Sequence, residues 1–347
     1  MTSATAPRLD TLGLLEDVLG TPERVAAVAD SAPVIDGLPR HDDVAQVLVL
    51  GVGDSALAGE LVAAVAGPFM SVPVIVHRGH ETPSFVGPDT LVIALSATGT
   101  TEETVDAAVG AFEAGAHLLS VTRPDGALAE ASVAWGQPAV LLPADIHPRS
   151  AFIPLAVAPL VVLEQLGFYP GARVWIDDAV AQLVRRRDQL ARGDGPARAI
   201  ARVVDRTMPV IYGGGPLGAV AALRWKQQCN ESAKVPAFWN TVPELCHNEI
   251  AGWGQHGDVT RQVFTQIDLR HDFEHPTVSE QFALVDDLTL EVVAEIVRVD
   301  AEGEGALAQL LDLVLIGDVF AIELADRSGV DPGPVPAVEA VRAVVRR

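Results

Sequence analysis

Residues 90–116 read TLVIALSATGTTEETVDAAVGAFEAGA. The opening TLVIAL (90–95) is an unbroken apolar run of strand length. TEETVDAAVGAFEAGA (101–116) places apolar residues near i, i+3, i+4 and i+7, the spacing of a helix. Residues 95–104, at the junction, carry five hydroxyls: Ser96, Thr98, Thr100, Thr101 and Thr104. A continuous Val/Ile/Leu run, rather than an alternating one, marks a strand covered on both faces. Such strands belong to parallel sheets wrapped by helices.

The same signal recurs on either side. VAQVLVLG (44–51), VPVIVH (72–77), HLLSVT (117–122) and PAVLLPA (138–144) read as strands, and SALAGELVAAVAG (55–67) as a helix. FYPGARVW (168–175) and RRRDQLARGDGP (185–196) read as a connection and a surface helix. The pattern then restarts. PVIYGG (209–214) is a strand leading into the helix LGAVAALRWKQQCNESAK (217–234). VFTQIDL (263–269) and EVVAEIVRV (291–299) are further strands, GALAQLLDLVLIGDVFAIELADRSG (305–329) is a long apolar helix, and AVEAVRAVVRR (337–347) closes the chain. The expected fold is α/β, with two doubly wound domains over 1–169 and 170–347, each a mainly parallel sheet flanked by helices. In such sheets ligands bind outside the carboxyl ends of the strands, where the strand order reverses. The hydroxyl loop lies at such an end.

Bulk properties narrow the function. The chain has 347 residues, 49% of them hydrophobic, and its mean hydropathy is +0.29, which suits two well-packed domains and excludes a disordered chain. Its net charge of −22 argues against nucleic acid and against anionic membrane surfaces, which need basic patches. AFIPLAVAPLVVLEQLGF (151–168) holds two prolines and Glu164, and reads as a buried helix rather than a membrane span. Two cysteines, Cys229 and Cys246, make neither a disulfide framework nor a zinc site. With no signal peptide in view, a reducing cytoplasm is expected.

In the hydroxyl loop, Thr100 and Glu103 fit a capping box, with Thr100 as N-cap. One cap leaves Ser96 and Thr98 unexplained. Hydroxyls beside the free N–H groups of a helix start suit an anion, so a phosphate cup and plain turn chemistry both stand open. GVGDSALAGE (51–60) is a second strand-to-helix turn and supplies Ser55. GGGPLG (213–218) matches G-x-G-x-x-G, but about 20 residues on stand Ala233 and Lys234, not an acid for a ribose. It is weak evidence for a dinucleotide. NESAK (230–234) and PELCHNEIAGW (243–253) carry Glu231 and His247. Singly these read as a surface acid and a loop histidine. Beside a phosphate cup they suggest acid–base work on a phosphorylated small molecule. HPRSAF (147–152) adds Arg149, an anion contact or a stabiliser of developing negative charge.

Together these segments resemble the bifunctional phosphoglucose/phosphomannose isomerases, a branch of the sugar isomerase (SIS) domain superfamily. GVGDSALAGE is similar to that family's GxGGSGxxGD loop, SATGTTEET to SYSGNTEET, and HPRSA to QPRxA. RWKQQCNESAK and PELCHNEIAGW resemble NxFNENAK and PEXNHNEIxGW, and GVDPGPV (329–335) resembles GVDPTPV. The resemblance spans nearly the whole chain. It implies two SIS domains and isomerisation of hexose 6-phosphates through a cis-enediolate, with no metal or cofactor. Ser55, Ser96, Thr98 and Thr101 would grip the phosphate, Glu231 would move the proton between C1 and C2, and Arg149 would offset the enediolate charge. His247, from the partner subunit of a homodimer, would help open the sugar ring. Three positions depart from the family pattern. Asp54 stands at a loop glycine and Gly333 at the threonine of DPTP. No lysine follows Lys234, which leaves Arg342 as the nearest counterpart of a ring-opening lysine. The alternative is a catalytically weak SIS protein that binds a sugar phosphate as a sensor or regulator.

Overall fold

The computed structural model describes residues 8–31 and 35–345. These form two compact units, one of 20–184 with 302–311, the other of 8–19, 185–301 and 312–345. By contacts, the division nearest the middle of the chain falls between Val184 and Arg185, inside the helix Ala172–Leu190; the sequence was divided at 169/170.

The first unit holds a five-stranded sheet: β1 (Gln46–Leu50), β2 (Val74–His77), β3 (Thr90–Ser96), β4 (His117–Thr122) and β5 (Ala139–Leu141), in the order β2-β1-β3-β4-β5. Every pairing is parallel, with Val49 opposite Val76 on one side and Ile93 on the other. All seven residues of β3 are buried, as its apolar run requires at the sheet centre. The helices Asp54–Ala66, Glu102–Glu113, Ala127–Trp135 and Phe152–Gln165 follow β1, β3, β4 and β5. Phe152–Gln165 is buried from Phe152 through Leu163. The chain leaves β1 for β2 on one flank and returns to β3 on the other, so the sheet reverses direction between β1 and β3.

The second unit repeats the plan with four parallel strands: β6 (Met208–Gly214), β7 (Phe238–Val242), β8 (Phe264–Arg270) and β9 (Ile296–Asp300), ordered β7-β6-β8-β9. The Gly213 and Gly218 backbones pack face to face. A Cβ on Gly213 would lie 2.0 Å from the Gly218 carbonyl oxygen. Those glycines of GGGPLG therefore serve the contact between strand and helix.

The helix Gly305–Arg327 is long and apolar enough to cross a membrane, yet 89% of its most apolar window is buried inside the fold. Its buried acids are paired. Asp312 takes a bidentate bond from Arg186 at 2.7 Å, Asp318 one from Arg224 at 2.8 and 2.9 Å, and Glu323 receives Arg8 and Arg198. A charge leaves water only when so matched.

The structure corrects four readings. Residues 172–190 form one helix, because the carboxylate of Glu164 accepts the backbone N–H groups of Gly171 and Arg173 and starts it early. In EVVAEIVRV only the last part is strand, since Val292 and Val293 donate to the Thr289 carbonyl and form a turn. β7 went unread: it is an edge strand whose Phe238 and Trp239 are exposed. The N-cap of Glu102–Glu113 is Thr101, not Thr100, and its side chain makes no capping bond.

Candidate active site

The cup forms where β3 runs into the helix Glu102–Glu113. Ser96, the last residue of β3, is buried. Its Oγ lies 3.1 Å from Thr101 Oγ1 and accepts the Gly99 backbone N–H at 3.0 Å. Thr98 Oγ1 lies 3.4 Å from Thr101 Oγ1 and accepts the Thr100 N–H at 3.3 Å. Gly99 makes the turn possible in two ways. Its φ is +71°, and a Cβ there would lie 2.7 Å from Gly126 Cα. The Gly99 carbonyl accepts the Leu128 N–H at 2.9 Å, so the loop is braced on the start of the next helix. Thr101 holds its hydroxyl toward Ser96 and Thr98 instead of the helix backbone. The N–H groups of the first turn are therefore not capped by that side chain, and they carry the positive end of the helix dipole.

The loop after β1 lies beside this cup, because β1 pairs with β3 through Leu50 and Ala94. Gly51 lets the strand end approach the helix: a Cβ there would lie 2.9 Å from the Ala56 nitrogen. Ser55 is buried in the first turn of Asp54–Ala66, and Asp54 is its first residue. Arg149, half-buried, sits in the short turn Pro148–Ser150 ahead of Phe152–Gln165, and its N–H donates to His147 Nδ1 at 3.3 Å. The sequence reading passed over Arg123. Its guanidinium donates to the Ala144 and Ile146 carbonyls at 3.0 and 3.4 Å and holds the segment leading to Arg149.

In the second unit, Glu231 lies in a π-helical turn, Cys229–Ala233, that widens the end of the helix Gly215–Gln228. The Val235 N–H closes this turn on the Cys229 carbonyl at 3.1 Å, and Asn230 donates to the Val235 carbonyl at 2.9 Å. Such turns carry one extra residue per turn and often re-aim a side chain at a site. Lys234, at φ +59°, donates its ammonium to the Glu231 carbonyl and, at 3.2 Å, to that of Pro332. The turn is thereby tied to GVDPGPV. In that segment Asp331 accepts the Thr11 hydroxyl at 2.6 Å and the Gly333 N–H at 2.9 Å. A Cβ on Gly333 would lie 2.7 Å from Leu12 Cγ, so glycine fits here where a threonine would displace Leu12.

His247 ends the short helix Glu244–His247 after β7 and is exposed. The segment carrying it is anchored by Glu249, which sequence reasoning missed. Glu249 receives the Tyr212 hydroxyl and, at 2.8 Å, the Asn240 amide; Trp253 Nε1 donates to that hydroxyl at 3.1 Å. Burial, and then the Glu249 charge, raise the Tyr212 pKa, keeping it a neutral donor. Arg342 lies exposed on the helix Pro336–Val345.

Of the expected residues, Ser96, Thr98 and Thr101 are thus joined directly, with Ser55 in a helix start and Arg149 in a short helical turn of the same unit. Glu231, His247 and Arg342 belong to the other unit.

Residues 43–168 match the SIS domain family. Residues 193–345 match the family described as the bacterial phospho-glucose isomerase C-terminal SIS domain. A bifunctional phosphoglucose/phosphomannose isomerase of Caldicellulosiruptor bescii is 29% identical over 338 residues, covering 95% of this chain and 98% of that protein. A protein of the same name from Aquifex aeolicus is 28% identical over 302 residues, covering 87% and 90%. The solved structure of tagatose-6-phosphate ketose/aldose isomerase from Escherichia coli shares the fold, with a TM-score of 0.69 at 14% identity, covering 96% of this chain and 98% of that one. Fold and cup define a double SIS-domain protein. The chain belongs to the bifunctional phosphoglucose/phosphomannose isomerase family.

Proposed function

We propose that this protein interconverts glucose 6-phosphate or mannose 6-phosphate with fructose 6-phosphate. The observation that carries the reading is the cup: the Ser96 and Thr98 hydroxyls lie 3.1 and 3.4 Å from that of Thr101, at a helix start whose N-cap side chain makes no capping bond. A phosphate accepts from such hydroxyls and from the free N–H groups behind them. The names of the full-length relatives supply the substrate class.

In the open-chain aldose, Glu231 takes the C2 proton as its carboxylate. The C–H electrons form the C1=C2 bond, and the C1 carbonyl oxygen becomes the oxyanion of a cis-enediolate. Arg149 offsets that charge. The proton from the C2 hydroxyl passes to O1, and protonated Glu231 returns its proton to C1, giving the 2-ketose. His247 assists ring opening. Its exposure suits a residue offered to the site of a second copy, and we assign the protein as a homodimer on that ground. Its two free cysteines suit a reducing cytoplasm.

A second reading, a sugar-phosphate sensor with little turnover, is favoured by Asp54 beside the cup and by the absence of any lysine after Lys234. A coupled assay started with fructose 6-phosphate and read for both epimeric aldoses separates the two. The isomerase gives product at catalytic protein concentration. A sensor binds the sugar and gives none.

A further inference from the structure

The second sheet has a switch point of its own, between β6 and β8. The loops that meet there, after Gly214 and after Arg270, correspond in topology to the loops that carry Ser55 and the hydroxyl cup in the first sheet. Here no hydroxyl cluster forms. Arg270, His271, Glu274 and Ser279 line a cavity of about 200 Å³, and the Glu274 carboxylate is held among them. Arg270 donates to it through Nε at 2.9 Å and through its terminal nitrogen at 2.6 Å. The His271 backbone N–H adds a bond at 3.2 Å, and the Ser279 hydroxyl one at 3.1 Å.

The backbone is shaped around this carboxylate. Gly214 faces it, and a Cβ there would lie 2.8 Å from the carboxylate carbon. His271 Nε2–H donates to the Gly214 carbonyl at 2.8 Å and ties the two loops together. The Glu274 side chain is only 3% exposed and that of Arg270 11%, so a full pair of charges is withdrawn from water. A guanidinium fork, a loop N–H and a hydroxyl converging on one buried anion are the donors that a phosphate takes.

We propose that this second switch point is an anion cradle which the chain keeps filled with its own Glu274. Each chain therefore holds inorganic phosphate or a phosphosugar at its first switch point alone. Removing the carboxylate leaves Arg270 buried without its partner, and an anion from solution restores the pairing.

The test is calorimetric titration of the full chain with inorganic phosphate. Glu274→Ala, checked for folding by circular dichroism, should take one more phosphate per chain than the unaltered protein. Adding Arg270→Ala should abolish that increment. Equal counts in the unaltered protein and folded Glu274→Ala overturn the proposal, as does an increment that survives Arg270→Ala. Because the readout is a difference, failure of the first cup to bind phosphate lowers both counts together and is recognised separately. If Glu274→Ala does not fold, Glu274→Gln keeps the shape without the charge. Phosphate should then raise its Tm more than that of the unaltered protein, and equal shifts overturn the proposal.

Discussion

The hydroxyl oxygens of Ser96 and Thr101 lie 3.1 Å apart, joining the last residue of β3 to the N-cap of the helix that follows. This contact turns Thr101 away from the helix backbone and toward the space above the strand end. A bound phosphate would draw on both hydroxyls and on the helix start at once. Thr98→Ala combined with Thr101→Ala should weaken fructose 6-phosphate binding by roughly 1–3 kcal/mol, the worth of the charge-assisted bonds removed. Calorimetry reads this directly, and unchanged affinity places the phosphate elsewhere.

Asp54 opens the helix beside the cup and favours that helix through its dipole. The same charge opposes a phosphate. Asp54→Gly should tighten phosphosugar binding, and the gain should shrink as salt is raised, since screening weakens the repulsion it removes. Weaker binding by the variant would mean that Asp54 contacts the sugar favourably.

Lys234 joins the Glu231 turn to the Pro332 carbonyl and is argued to position the base without touching substrate. Lys234→Ala removes both bonds and leaves the left-handed backbone at this position without the side chain that ties it down. It should lower kcat while leaving KM near its original value, and Lys234→Arg should recover part of the loss. A changed KM with kcat intact would contradict a positioning role.

A pH effect on stability follows from Asp268. Burial, then its hydrogen bond and like charge with Asp286, raise its pKa to about 8. The folded chain thus holds a proton that the unfolded chain has released above the ordinary carboxylate range. Stability from this group falls as pH rises from about 4 to about 8, then levels off. Asp268→Asn keeps a neutral partner for the Gln266 amide and should flatten that part of the profile of Tm against pH. A profile equally steep in the variant assigns the titration to another group.

Much of this was legible because continuous apolar strands and helices of period 3.6 leave strong local signals. β3, the hydroxyl loop and its helix were readable from 90–116 alone. The N-cap slipped by one residue because Thr100 and Thr101 are both hydroxylic, and only the contact with Ser96 tells them apart. β7 gave no signal, since an edge strand with exposed Phe238 and Trp239 has little apolar patterning. Glu231 was readable as a candidate, but its π turn was not, because no local pattern separates that turn from ordinary helix. Glu249 and Glu274 were hidden for a different reason. Their partners include Tyr212, 37 positions away, and a glycine, Gly214, whose part is to leave room.

The central claim is that Glu231 moves a proton between C1 and C2 of a phosphosugar. The direct measurement is exchange of solvent deuterium into C2 of glucose 6-phosphate or C1 of fructose 6-phosphate, followed by NMR. The unaltered protein should catalyse exchange. Glu231→Gln should slow it by about 10²–10⁴-fold while still binding the sugar, because the amide keeps the shape and cannot accept the proton. Tight binding without exchange by the unaltered protein, or exchange undiminished in Glu231→Gln, would contradict the account.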